Sequence, residues 1–120
     1  MRIFHVTTAL DWNAAAAHGM YTRSTIGRDL ADVGFIHAAY AHQLSTIRQG
    51  YVAEACGPLV LLEIETDLLH SQVVEEQPAP GTEVIYPHIY GPLNTDAVVR
   101  ASALGPEGAE ATGHPEWIQI

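Results

Sequence analysis

The sequence predicts a single α+β domain, a mixed β-sheet with about two helices, and three observations carry that expectation. Residues 59–64 are a near-continuous apolar run, the pattern of a strand buried on both faces. Residues 2–8 alternate and are rich in β-formers, and residues 97–104 read as a final strand near the other end. Between them lie two helical stretches: one carrying Ala14–Ala17, and one over about 41–53, where Leu44, Ile47 and Tyr51 fall at i, i+3 and i+7.

Each element has a local reason. In residues 2–8, Phe4 and Val6 point to one face and Ile3, His5 and Thr7 to the other. Asp11 is placed to cap the first helix, and Gly19 offers a left-handed stop after it. Residues 20–23 form a brief strand or a turn, and residues 25–32 a polar connection with room for one helical turn. Gly34-Phe35-Ile36-His37 is a short extended piece before the second helix, which Gly57-Pro58 ends. Leu68-Leu69 and Val73-Val74 sit near the surface of a partly extended segment, and residues 75–81 are a loop by composition. Residues 83–90 form a strand interrupted by Pro87, whose missing N–H predicts an edge, a bulge or a turn. Residues 105–120 read as a Gly/Pro/Glu-rich tail pinned by Trp117, and the absence of repeats or linkers makes 1–120 one domain.

Composition narrows the function classes. The 120 residues hold 14 acidic side chains and five basic ones, so the net charge is −9. All five cations are arginines (Arg2, Arg23, Arg28, Arg48, Arg100), and seven histidines outnumber them. Nucleic-acid backbone binding needs clustered cations and is not expected. A small anionic ligand, held by backbone N–H groups and one or two cations, remains compatible. The longest apolar run is far short of the roughly 20 residues a bilayer requires, so no membrane partner is expected. No signal-peptide stretch opens the chain, and a cytoplasmic location is expected. The single Cys56 has no nearby cation to activate it and reads as packing. Unpaired sheet edges in so small a domain allow a monomer or a homodimer.

Three histidines stand in short, β-rich contexts: His5, His37 and His88. An imidazole on a rigid strand binds polar ligands, relays protons or ligates metal. A three-histidine zinc site is one reading, although no short ligand spacing supports it, and half-buried structural histidines are another. Tyr86, His88 and Tyr90 share one face of an extended segment just before Gly91-Pro92, a row able to line a slot for a planar ring. Trp12 is either a lid over the core or a ligand platform. Glu63 and Glu65 end the apolar strand on one face, as solvated carboxylates or as a base or ribose binder; Glu75-Glu76 reads as a solvated surface pair. His18, His42, His70 and His114 carry no assigned role. Nucleophile elbows, Walker loops and dinucleotide glycine motifs are absent.

The pieces Ile3-Phe4-His5-Val6, Gly34-Phe35-Ile36-His37 with Gln43, and Pro87-His88-Ile89-Tyr90-Gly91-Pro92-Leu93 closely resemble the bacterial domain of unknown function 952 family over about residues 3–99. That resemblance implies an ADP-ribosyltransferase-like fold: a split, mixed sheet with a cleft for NAD or another ADP-ribosyl compound. It implies His5 as the ribose or substrate binder, with His37 and His88 near the second and third motifs of the superfamily as further catalytic positions. Thr7, Tyr21, Gln43, Tyr90 and Gly91 are the implied cofactor-contacting residues, and a small nucleotide-like molecule is the implied partner. Two positions depart from the pattern: Ala39 replaces a frequent hydroxyl residue, and His88 stands where the transferases carry a late-strand glutamate. Whether the domain is an enzyme is left open, and a metal-dependent hydrolase or a non-enzymatic binding module are the alternatives.

Overall fold

A computed structural model describes residues 1–45, 58–77, 81 and 83–104. Strand β1 (Arg2–Thr8) leads into helix α1 (Ala9–His18), followed by the short strands β2 (Met20–Tyr21), β3 (Arg23–Thr25) and β4 (Arg28–Asp29). One helical turn, α2 (Leu30–Val33), precedes β5 (Ile36–His37) and a 3₁₀ turn at Ala41–Gln43. Strand β6 (Leu59–Glu65) comes next, then a 3₁₀ turn, β7 (Gln72–Glu76), β8 (Tyr86–Tyr90) and β9 (Leu93–Asn94). A last 3₁₀ turn enters β10 (Val98–Leu104).

The apolar run 59–64 becomes the middle strand of a three-stranded sheet, β1-β6-β10. A second three-stranded sheet has the order β5-β8-β7, and two two-stranded pairs, β2-β9 and β3-β4, complete the described strands. Every pairing among them is antiparallel, which corrects the expected mixed sheet. An unbroken apolar run reports burial on both faces, not strand direction. Here Val60, Leu62 and Ile64 enter the main core, while Leu59 and Leu61 join Val6, Leu104 and Ile26 on the other face.

The main core is shared by both sheets. Ile3, Leu62, Ile64 and Ala101 come from the first sheet, Ile36 and Ile89 from the second, and Trp12, Ala15, Tyr21 and Leu93 from the segments between them. Trp12 is fully buried, so the structure makes it a core residue. A side chain of that size dominates its neighbourhood by area.

Several local expectations need correction. Thr8, not Asp11, caps α1: its Oγ1 accepts from Asp11 N at 3.1 Å, and Asp11 lies in the first turn. The terminating Gly19 is left-handed as read (φ 79°). Glu75 and Glu76 belong to β7, not to a loop, and pair with Pro87 and Tyr86. Pro87 sits in the central strand of its sheet. Its carbonyl accepts from Ala38 N at 3.2 Å, so its missing N–H faces the same side, where β5 has just ended. The proline therefore leaves Ala38 and Pro87 joined by one bond where an ordinary pair would exchange two. The second helix is described only for its first residues, and most of 41–53, Cys56, Trp117 and the tail lie outside the described residues.

Gly91 has φ 149°, and a Cβ there would collide with Ser71 Oγ, which donates to Pro92 O at 2.7 Å. We expect Gly91→Ala to destabilise the domain by about 2 kcal/mol in urea unfolding. Adding Ser71→Gly should return only part of this, because the backbone strain persists. Full wild-type stability in the single variant contradicts the contact.

Candidate functional site

The β5–β8 register places His37 directly opposite His88, and Ile36 opposite Ile89. Since side chains alternate along a strand, both isoleucines fill the core while both imidazoles lie on the opposite face of the sheet, His37 half-buried and His88 buried. Their ring centroids are 5.6 Å apart, nearly perpendicular. Phe35, two residues before His37, stacks on His88 at 4.0 Å with planes 17° apart and meets His37 edge-on at 4.9 Å. Tyr90 lies 5.4 Å from Phe35.

Glu76 organises this face. Its Oε1 accepts from His88 Nδ1 at 2.8 Å and from the Tyr90 hydroxyl at 2.5 Å. These bonds hold the Glu76 carboxyl below the usual carboxylate range, with the Tyr90 bond the larger cause, and the carboxylate pushes the Tyr90 hydroxyl up. His88 Nδ1 donates to Glu76, and Nε2 has no protein partner among the described residues. A carboxylate-oriented imidazole with its second nitrogen unpartnered can exchange a proton with a ligand that reaches it. Burial, then the neighbouring His88, then Arg28 push the His37 imidazole down, so it is neutral near pH 7.

His5 is elsewhere. It is 1% exposed and points into the core. Its Nδ1 bonds the backbone carbonyl of His37, and its Nε2 lies 2.7 Å from the Tyr21 hydroxyl. A carbonyl can only accept, so Nδ1 bears the proton and Nε2 accepts from Tyr21. Tyr21 has then spent its one proton, and it takes its 2.8 Å bond to Thr7 Oγ1 as acceptor. Burial lowers the His5 pKa to about 4, which keeps the ring neutral. His5, Thr7 and Tyr21 thus form one interior chain of bonds, whereas His37, His88 and Tyr90 share the opposite face of the second sheet. The backbone of His37 is where the two meet.

The remaining sequence candidates fall into place around these two groups. Gln43 is buried, its Oε1 accepting from Tyr40 N (2.9 Å) and its Nε2 donating to Ile85 O (2.8 Å), so it ties the 3₁₀ turn to the chain entering β8. Gly91 gives way to Ser71. Glu63 and Glu65 both pair with Arg2, at 2.5 and 3.0 Å. No group of three or more His, Cys, Asp or Glu side chains among the described residues could hold a metal ion. With both His5 nitrogens committed, the three-histidine metal reading loses a ligand. Glu76 and Phe35 are the site residues that sequence reasoning missed. Strand alternation two residues before His37 marks Phe35, while Glu76 required the β7–β8 register.

The family model for proteins of unknown function designated DUF952 matches residues 6–101. The chain belongs to this family. Its fold is similar to the crystal structure of protein CC0527 from Caulobacter crescentus, at 31% identity and TM-score 0.64, covering 86% of this chain and 85% of that one. The crystal structure of a double mutant of CC0527 gives 30% identity with the same coverage and TM-score. The solution structure of CC0527 gives 24% identity and TM-score 0.61, covering 92% and 95%. No match is found among curated proteins. No helix among the described residues is long and apolar enough to cross a membrane.

The buried His5 makes stability depend on pH. Below the ordinary value of 6.5 the unfolded chain takes up a proton that the folded chain refuses until about pH 4. Stability should therefore fall with acidification across that window by about 3 kcal/mol, with His37 acting in the same direction. Urea unfolding between pH 7 and 4.5 checks this. His5→Gln should be less stable at pH 7 but flatter with pH, and equal slopes in both proteins would refute the assignment.

Proposed function

We propose that the chain binds NAD or a related ADP-ribosyl compound on the His37–His88 face, with His88 as its proton-transfer group. The observation that carries this reading is the His88 imidazole itself, fixed at Nδ1 by Glu76 and open at Nε2. Such a nitrogen takes a proton from a ligand hydroxyl or from an attacking water within hydrogen-bond reach. Phe35 and Tyr90 supply aromatic surface for a planar ring. Arg28, exposed, close enough to influence His37 and without an ion pair among the described residues, supplies a cation for phosphate. The choice of ligand follows the superfamily resemblance read from the sequence, without the ribose contact that it implied for His5.

In this reading His5 is a positioning residue. It holds the His37 carbonyl from inside and does not reach the ligand. Glu76 takes the place of a carboxylate within the site, acting through His88. Its bond fixes the tautomer and stabilises the imidazolium that forms when Nε2 accepts a proton.

Titration calorimetry with NAD and with ADP-ribose tests the proposal. Wild-type protein should give saturable heat at submillimolar to millimolar ligand. His37→Ala and Arg28→Ala, both on the surface side, should each weaken binding about tenfold or more. His88→Gln should retain binding more fully than it retains any turnover of NAD. No heat from folded wild type at millimolar concentrations of either ligand sinks the idea.

A further inference from the structure

A concavity lies where the 3₁₀ turn at Ala41–Gln43 faces the ends of β7 and β8. Its volume is about 580 Å³, and its walls come from Tyr40, His42, Glu75, Glu83, Val84 and Tyr86. We propose that this groove binds a small organic cation, an alkylated ammonium. This site is separate from the His37–His88 face and does not rest on the ligand proposed for it.

The lining chemistry selects that class. Two carboxylates, Glu75 and Glu83, face the groove, and no arginine lines it among the described residues. The Tyr40 and His42 rings stack with planes 7° apart and centroids 5.9 Å apart, and Tyr86 adds a further aromatic group. Aromatic faces attract cations through the ring quadrupole, and a desolvated alkylammonium gains most, because it lacks the tight water shell of an inorganic ion. Val84 and Ile85 are 49% and 46% exposed, giving alkyl groups an apolar wall. An inorganic divalent ion is a poorer occupant, since no group of three ligating side chains gathers among the described residues.

The groove is also built, not merely bordered. The Tyr40 hydroxyl donates to Glu75 Oε2, which orients the carboxylate and leaves Oε1 without a protein partner among the described residues. Burial and Glu75 push the Tyr40 hydroxyl up to about 12, so it keeps the proton it donates. Gln43 locks the opposite wall through its bond to Ile85 O at 2.8 Å. A volume of this size is within the range of small-molecule sites.

The test uses choline chloride as the cation and 3,3-dimethylbutan-1-ol as its uncharged isostere, with sodium chloride as the ionic-strength control. Choline should shift the amide and aromatic resonances of Tyr40, His42, Glu83 and Tyr86 in a saturable way. The uncharged isostere should bind at least about tenfold more weakly, as should choline to Glu83→Gln. Glu83 is exposed, so that variant tests the charge in a folded protein, checked by its dispersed amide spectrum. Shifts equal for choline and isostere, shifts reproduced by sodium chloride, or no shifts at tens of millimolar choline each overturn the proposal.

Discussion

The bond network of His5 is the constraint on which the rest depends. One imidazole touches three otherwise separate pieces: it stands on β1 of the first sheet, bonds the carbonyl of His37 in the second, and bonds Tyr21 in the β2–β9 pair. Next to it, Phe4 and Ala39 exchange two backbone bonds of 2.8 Å, so the edges of the two large sheets run together for one residue pair. Because Ala38 N points to Pro87, the His37 carbonyl points away from β8 and toward β1. It would be a buried acceptor without a donor if the imidazole were absent. Leaving such a group unsatisfied costs about 1–3 kcal/mol, more than one ordinary bond contributes. The ring therefore specifies where β5 sits, and the register of β5 on β8 decides that His37 faces His88.

This explains which parts of the molecule were legible in the sequence. Alternation in residues 2–8 put His5 with Ile3 and Thr7, and all three are buried together. Alternation in residues 86–90 put Tyr86, His88 and Tyr90 on one face, and the last two share the Glu76 carboxylate there. Periodicity and chirality act within a few residues, so a sequence displays them. The pairing of β7 with β8 does not act within a few residues. Glu75-Glu76, beside a Pro/Gly-rich stretch, has the composition of a loop, and nothing local shows that a strand about ten residues on will capture it. Pro87 misled for the same reason. Its missing donor forbids a ladder bond on one side only, and whether that side is occupied depends on where β5 ends.

The inside-or-outside question for the histidines has a similar origin. Both His5 and His88 lie on strands among apolar neighbours, and both are nearly fully buried. What separates them is the second ring nitrogen. His5 spends both on the protein, whereas His88 spends one on Glu76 and keeps the other. Burial therefore does not separate these two histidines; the count of satisfied nitrogens does. The bonding partners come from β2, β5 and β7, at separations of 12 to 32 residues, beyond any window in which a motif is read.

Consecutive glutamates on β7 would let an acidic chain serve the two proposed ligand chemistries. A strand sends neighbouring side chains to opposite faces. Glu76 goes to the histidines, where its charge is shared between the His88 N–H and the Tyr90 hydroxyl and so is partly neutralised toward an incoming anion. Glu75 goes to Tyr40, keeps one oxygen unpartnered among the described residues, and adds negative charge to the groove with Glu83. Among the described residues, Arg28 is a fixed cation near the first face, while none lines the groove. A net charge of −9 is thus not expressed alike on the two surfaces. Where a carboxylate is tied by donors the surface can accept phosphate, and where it is left half free beside aromatic rings the same surface favours a cation.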